Sequence, residues 1–221
     1  MITNKLIIME GACDGIGKST QFKLLRDRLI KEDNKVVTHH FPSYGTMQGR
    51  LVEEYLRGTF GTPKNLSPYF VNSLYAIDRK ITWDTELQKE YEHGSIVLLD
   101  RYTTSSLIYQ AALMDEEEKK AFIDYVCTYE YEKLAIPKPD QVIFLQAPFE
   151  VVTKMREKRE SNEGIMHDIH ERDLEFMKKV YENAIFLADY LNWDTVECST
   201  NNEMNTKEAI HEKVYQLINK N

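Results

Sequence analysis

Residues 11–20 read Gly-Ala-Cys-Asp-Gly-Ile-Gly-Lys-Ser-Thr, set between a four-residue apolar run, 6–9, and a segment of helical period. Glycines let successive backbone N–H groups turn inward around phosphate oxygens, and the N-terminus of the following helix adds positive potential there. Lys18 is then placed to reach β and γ phosphates, and Ser19 offers a hydroxyl to Mg2+. This is a Walker A loop, whose expected nucleotide-binding residues are Cys13, Gly15, Ile16, Gly17, Lys18, Ser19 and Thr20. The strict pattern has a glycine five residues before Gly17, but this chain has Ala12 there and Gly11 one step earlier.

Such a loop needs a strand before it and a helix after it, and the rest of the chain continues that rhythm. Short apolar runs at 5–9, 35–41, 95–100, 141–146 and 194–198 alternate with segments of helical period. Phe22, Leu25 and Leu29 mark one face of a first helix; Leu174, Met177, Tyr181, Ala184, Ala188 and Leu191 mark a later one. The expected fold is α/β: a three-layer P-loop NTPase arrangement with a five-stranded parallel sheet, helices on both faces and a short lid. Two segments depart from the alternation. Residues 114–134 open with Asp115 and Glu118, a helix start, and read as an added surface helix with a solvated Glu run and with Phe122, Val126 and Tyr129 on one face. Residues 156–168 pair a basic cluster with Ser161-Asn162-Glu163-Gly164, which suits a hinged flap. At 221 residues the expectation is one domain spanning 1–221, with the lid at about 156–170.

Lys and Arg number 28 against 36 Asp and Glu, a formal charge of -8, so the overall field repels polyanions and any anion must be gathered locally. Neither a nucleic acid polymer nor a membrane is expected as a partner. Three widely spaced cysteines support neither a disulfide framework nor a zinc site, and the opening apolar run is too short for a signal segment; a cytoplasmic location is expected.

The run 96–99 ends in Asp100, which a parallel sheet delivers to its carboxyl edge beside the loop, where a carboxylate holds a metal or its waters. Ser19 and Asp100 are therefore the candidate metal residues. Arg101 follows directly, either pairing with Asp100 or offering its fork to an acceptor's phosphate. Tyr75 and Arg79, at i and i+4 on a helix, would share a face, a ring and a fork able to read a flat base; the alternative is a core tyrosine beside a surface arginine. The guanine-reading Asn-Lys-x-Asp of signalling GTPases is absent. Phosphoryl transfer to a small acceptor becomes the leading reading.

At this point the chain resembles, over nearly its whole length, the thymidylate kinase family of nucleoside monophosphate kinases. The resemblance is carried by the Walker loop with Asp14, by Phe41-Pro42, by Leu74 to Arg79, by Asp100-Arg101-Tyr102 with Ser105-Ser106-x-x-Tyr109-Gln110, by Pro137-Lys138-Pro139-Asp140, and by a basic lid. It implies ATP-dependent conversion of dTMP to dTDP with Mg2+. Asp14 would approach the acceptor, Lys18 and Ser19 would serve ATP and the metal, and Asp100 would serve the metal shell. Tyr75 would stack on thymine while Arg79 bonds its edge, and Arg101 would hold the acceptor phosphate. Phe41, Pro42, Ser105, Tyr109 and Gln110 would line the acceptor site, and Arg156 and Arg159 would close over ATP. A homodimer is implied as well.

Two positions depart from the family pattern. Tyr44 stands where relatives carry an arginine two residues after the proline, and the lid's Asp-Arg pair is Asp168-Ile169, with His170 and Arg172 nearby. These departures, with Ala12, keep open a nucleotide-binding P-loop protein of impaired catalysis. A deoxynucleoside kinase, the other alternative, needs a general base for its hydroxyl acceptor. A monophosphate does not, and the residues after the second strand, His39-His40-Phe41-Pro42-Ser43-Tyr44, hold no acid.

Overall fold

Five strands lie side by side in a parallel sheet ordered β2-β3-β1-β4-β5: β1 (Leu6–Gly11), β2 (Val36–His40), β3 (Ile96–Asp100), β4 (Gln141–Gln146) and β5 (Asp194–Glu197). This computed structural model describes residues 4–13, 15–62, 64–163 and 174–218, without the side chains of 158–163. The two central strands β1 and β3 are buried at every position, which is why they read as unbroken apolar runs rather than alternating ones. Successive β1 side chains go to opposite layers. Ile7 and Met9 join Leu25 and Leu29 of α1 (Lys18–Lys31) and Ile210, Val214 and Ile218 of α9 (Lys207–Ile218); Leu6 and Ile8 join Phe41, Trp83 and Tyr102.

The second layer holds α2 (Arg50–Leu56), α3 (Pro68–Thr82), α4 (Gln88–Glu92), α5 (Thr103–Gln110), α6 (Glu116–Val126) and α8 (Leu174–Tyr190), and α7 (Phe149–Glu163) follows β4. The chain leaves β1 towards β2 on one side, and later leaves β3 to cross over β1 to β4. The connections thus part company between β1 and β3, and the crevice at their carboxyl ends is where an open α/β sheet receives ligands.

The expected strands are present to within one or two residues at each end. The surface helix is α6, and Asp115 and Glu118 cap it reciprocally: Glu118 N donates to Asp115 Oδ1 at 2.9 Å and Asp115 N to Glu118 Oε2 at 3.2 Å. Its Glu116 to Glu118 run is exposed, as read from sequence. The expected face breaks down beyond Val126, because Cys127–Lys133 winds as a wider π-helical turn that turns Glu130 inward instead of Tyr129. A second π-helical turn, Trp83–Leu87, links α3 to α4.

Four further differences stand out. Ser161 to Glu163, expected as the polar hinge, is the last turn of α7. Leu174, expected to be buried, is exposed, while Phe176, Val180 and Leu187 fill the interior. The hairpin β6 (Ser199–Thr200) and β7 (Glu203–Met204) and the helix α9 left no expectation in the sequence reading. Gly164 to Asp168, with Ile169, His170 and Arg172, lie outside the described residues.

Candidate active site

Between β1 and α1 the backbone folds over the strand end, and the shift of glycine from position 12 to 11 has a packing reason. Ala12 N still donates to Leu145 O at 3.0 Å, and the Ala12 methyl is buried with Leu107, Ile108 and Phe144, so residue 12 belongs to the sheet. The close approach falls one residue earlier: a Cβ on Gly11 would lie 2.7 Å from Ile16 Cγ2. Gly15 and Gly17 have φ of +95° and +89°, values that L side chains rarely adopt. A Cβ on Gly15 would also sit 3.3 Å from the Arg156 backbone, so α7 runs against the loop and carries Arg156 to it. Asp14 and the Arg159 side chain are outside the described residues.

Gly17 precedes the first turn of α1, accepting from Gln21 N at 3.1 Å, and leaves Ser19 and Thr20 exposed while Lys18 is buried. The Lys18 ammonium pairs with Asp100 Oδ1, and His40 Nδ1 lies 3.1 Å from Asp100 Oδ2. The pairing follows from register, because Met9 and His40 both flank Asp100 across the ladder, so three strand ends meet there. Burial by itself raises the Asp100 carboxyl pKa, but the hydrogen bond from His40 and the charge of Lys18 more than offset it. The net effect holds that carboxyl well below the usual carboxylate range.

These features fit a Mg-nucleotide. The amides at the start of α1 and the paired left-handed glycines form an anion cradle, and the exposed Ser19 hydroxyl stands beside it. Among the described residues no three His, Cys, Asp or Glu side chains cluster tightly enough to hold a metal by themselves. That is the expectation for Mg2+, which is held by one or two side chains together with substrate phosphates.

Arg101 sits at φ 69°, an uncommon conformation for arginine, and its side chain runs along α5 rather than onto Asp100. Nη1 donates to Ser105 Oγ at 3.4 Å and the guanidinium lies 5.3 Å from the Tyr109 ring centre, so Arg101, Ser105 and Tyr109 line up one turn apart. Sequence reading missed Glu10. Fully buried at the end of β1, it accepts from Thr104 Oγ1 and Ser105 Oγ, both at 2.7 Å, and so ties the strand that leads into the glycine loop to α5. A lone acid ending an apolar run was its only signal.

Phe41 and Pro42, joined by a cis peptide bond, begin the turn after β2. Phe41 N donates to Asp100 O at 3.0 Å, and the ring is only 2% exposed, packed 6.1 Å from Tyr102; it serves as a wall of the core more than as a ligand surface. Tyr44 is exposed and stacks on His40. The absence of an acid in this local sequence is partly made up in space by Asp78, which accepts from Ser43 N at 2.8 Å, but that carboxylate is fully buried.

For Arg79 it is the alternative reading, a surface arginine, that is overturned. Tyr75 and Arg79 share α3 as expected, yet Arg79 is the reverse of a surface arginine, at 1% exposure. Its Nε and Nη2 grip Glu130 at 2.6 and 2.7 Å, Nη2 also reaches Ser106 Oγ at 2.9 Å, and Nη1 reaches Tyr102 O at 3.3 Å. The partner came from the π-helical turn, which no periodicity argument would have placed inside. Beside this cluster, Tyr109 and Gln110 line a cavity of about 430 Å3 together with Tyr55, Lys64, Tyr69 and Phe176; Gln110 Oε1 is buried there with no hydrogen-bond partner among the described residues.

Comparison with known proteins agrees with this geometry. The profile of the Thymidylate kinase family matches residues 9–214. A thymidylate kinase of Mycobacterium tuberculosis is 31% identical over 176 residues, covering 79% of this chain and 81% of that protein. One of Schizosaccharomyces pombe is 29% identical over 219 residues, covering 97% and 91%. The solved thymidylate kinase of Candida albicans shares the fold, with a TM-score of 0.72 at 23% identity over 97% of this chain and 90% of that one. The chain belongs to the thymidylate kinase family.

Proposed function

We propose that the protein transfers the γ-phosphoryl group of ATP to dTMP, yielding dTDP. The observation that carries this reading is the meeting of Lys18 and Asp100 at the carboxyl ends of β1 and β3, with Arg101 next in chain leading along α5 to Tyr109 and Gln110. One side of the crevice is built for a triphosphate, the other for a second anion on a ring-sized body.

Phosphoryl transfer asks the protein to align two anions, offset their charge and exclude water. Lys18 leaves Asp100 for the β and γ phosphates as ATP enters, which frees an Asp100 oxygen for the metal shell. Ser19 and Asp100 would hold Mg2+, which would supply positive charge against that developing on the phosphates. Arg101 holds the acceptor phosphate, whose ionised oxygen needs no general base. Asp14 approaches the acceptor, and Arg156 and Arg159 close over ATP.

Purified protein with Mg-ATP and a panel of nucleotides and nucleosides tests this: dTDP from dTMP is expected, and phosphorylation of thymidine without dTMP would overturn the acceptor assignment. Lys18→Ala should abolish transfer.

Two further parts belong to the same proposal. Leu51, Phe60, Phe70 and Ile77 leave an exposed apolar row on and around α2 and α3, suited to a second copy of the chain; sedimentation should show a dimer. Cys13, Cys127 and Cys198 form no disulfide with one another, which fits a reducing cytoplasm.

A further inference from the structure

The buried face of α8 is apolar except at one position. Phe176, Val180, Ala184 and Leu187 run along it, and among them stands Asn183, completely buried as well. Its Nδ2 donates to Leu107 O at 3.0 Å and to Ile108 O at 2.8 Å, both on α5. These carbonyls are among the last four of α5, which a helix cannot satisfy from within. Beyond them the chain tightens, with Ala112 N reaching Tyr109 O at 3.4 Å. Asn183 therefore caps the end of α5 from another helix.

This cap is costly. Donating to two carbonyls fixes which way the amide faces, and leaves Asn183 Oδ1 buried with no hydrogen-bond partner among the described residues. An aliphatic side chain of the same size would fill the apolar cluster without stranding an acceptor. What the amide adds is direction. Apolar contact alone lets the end of α5 slide or turn against α8, whereas two hydrogen bonds set both its height and its rotation. Tyr109 and Gln110 follow the two carbonyls directly, and the Tyr109 ring lies 5.3 Å from the Arg101 guanidinium. Glu10 ties the other end of α5 through Thr104 and Ser105. Tyr181, two residues before Asn183, packs instead on Phe149 at the start of α7, with ring centres 5.4 Å apart, a contact in which the amide has no part.

We infer that Asn183 is a positioning residue for the acceptor, its Nδ2 fixing the C-terminal end of α5 so that Tyr109 stands where an acceptor held by Arg101 needs it. The inference rests on the acceptor reading above. Asn183 touches no substrate; it acts through Tyr109, and it serves the acceptor side alone.

Calorimetric titration of the unaltered protein, Asn183→Leu, Tyr109→Ala and the double variant with dTMP and with Mg-ATP tests this. Asn183→Leu keeps the volume and removes the donor. The expected result is dTMP affinity about tenfold weaker, which is about 1.4 kcal/mol, with Mg-ATP affinity within about twofold. Because the effect passes through Tyr109, the double variant should bind dTMP within about twofold of Tyr109→Ala alone. A merely structural role would weaken both ligands alike. Should the leucine variant fail to fold, Asn183→Ala, which leaves room for water at the two carbonyls, gives the same comparisons. Unchanged dTMP affinity, equal losses for both ligands, or losses that add in the double variant overturn the inference while leaving dTMP as acceptor. No heat from dTMP with the unaltered protein overturns the acceptor reading and this inference together.

Discussion

Replacing Glu130 by glutamine removes one charge and almost no volume, so it isolates the worth of the buried pair with Arg79. Two charge-assisted bonds, at 2.6 and 2.7 Å, join groups that are 0% and 1% exposed. Glutamine keeps one acceptor and turns an N–H towards the guanidinium, leaving the cation without a counter-charge. Loss of one partner from a buried pair costs about 3 to 5 kcal/mol. Ser106 Oγ, Tyr102 O and Asn72 Oδ1 still accept from Arg79, which places Glu130→Gln near the lower end, about 3 kcal/mol. For a chain this long, that is a fall in Tm of roughly 6 to 12 °C. Urea unfolding and thermal scans measure it, and the double variant Arg79→Met/Glu130→Leu completes the cycle. Removing both charges should restore most of the stability, since an apolar pair of similar shape is often no worse than the ion pair, yet dTMP binding should stay weak. A Glu130→Gln protein within about 1 kcal/mol of the original, with a double variant no better, would refute the reasoning, because the pair would then be exchanging with water.

Gly11→Ala should destabilise the chain by about 1 to 3 kcal/mol, since the new methyl meets Ile16 Cγ2 at 2.7 Å in a packed loop; it should also weaken ATP more than dTMP, readable by urea unfolding and by titration of each ligand. The Asp100 carboxyl is held below its ordinary value, so its ionised form stabilises the fold at pH above the unfolded carboxylate pKa of about 3.9 and this contribution is lost as pH falls below it. The stability gap between the unaltered protein and Asp100→Asn, measured by urea unfolding, should therefore be constant from about pH 7 to 5 and narrow towards pH 3; a gap that widens on acidification would contradict that sign.

Sequence carried the sheet because each central strand is buried throughout and apolar until its last one or two residues, a pattern that parallel burial on two faces imposes. It carried the phosphate loop because glycine at positive φ and lysine at a helix start have few other uses together. Asp115 was legible for a similar reason: a capping box is a local bargain between two residues three apart. Glu130, Glu10 and Asn72 were not legible. Each is polar and fully buried, and the two acids are satisfied by groups on other elements: Glu130 by an arginine 51 positions away, Glu10 by hydroxyls 94 and 95 away. Hydrophobic periodicity assigns such residues to the surface, and only assembled packing shows that it is wrong. The π-helical turn compounds this for Glu130, since one extra residue per turn moves the inward position beyond the reach of a 3.6-residue count.

The two arginines of the acceptor side differ in a way that follows from these surroundings. Arg101 is half-buried, and among its contacts are a long hydrogen bond to Ser105 and a tyrosine ring at 5.3 Å. Arg79 is locked by Glu130 and by bonds from α5 and the α5 entry turn, so moving it would expose a buried carboxylate. On the proposed reading, Arg101 meets a phosphate that arrives, reacts and leaves, whereas Arg79 stays fixed beside a base that keeps its place through the reaction. Glu10 joins the two: one of its carboxylate oxygens, shared by Thr104 and Ser105, holds the Ser105 hydroxyl that Arg101 leans on, one residue before the Ser106 hydroxyl on which Arg79 rests. A shift of the first turn of α5 must therefore disturb the Arg101–Ser105 and Arg79–Ser106 contacts together, so the position of α5 governs both arginines.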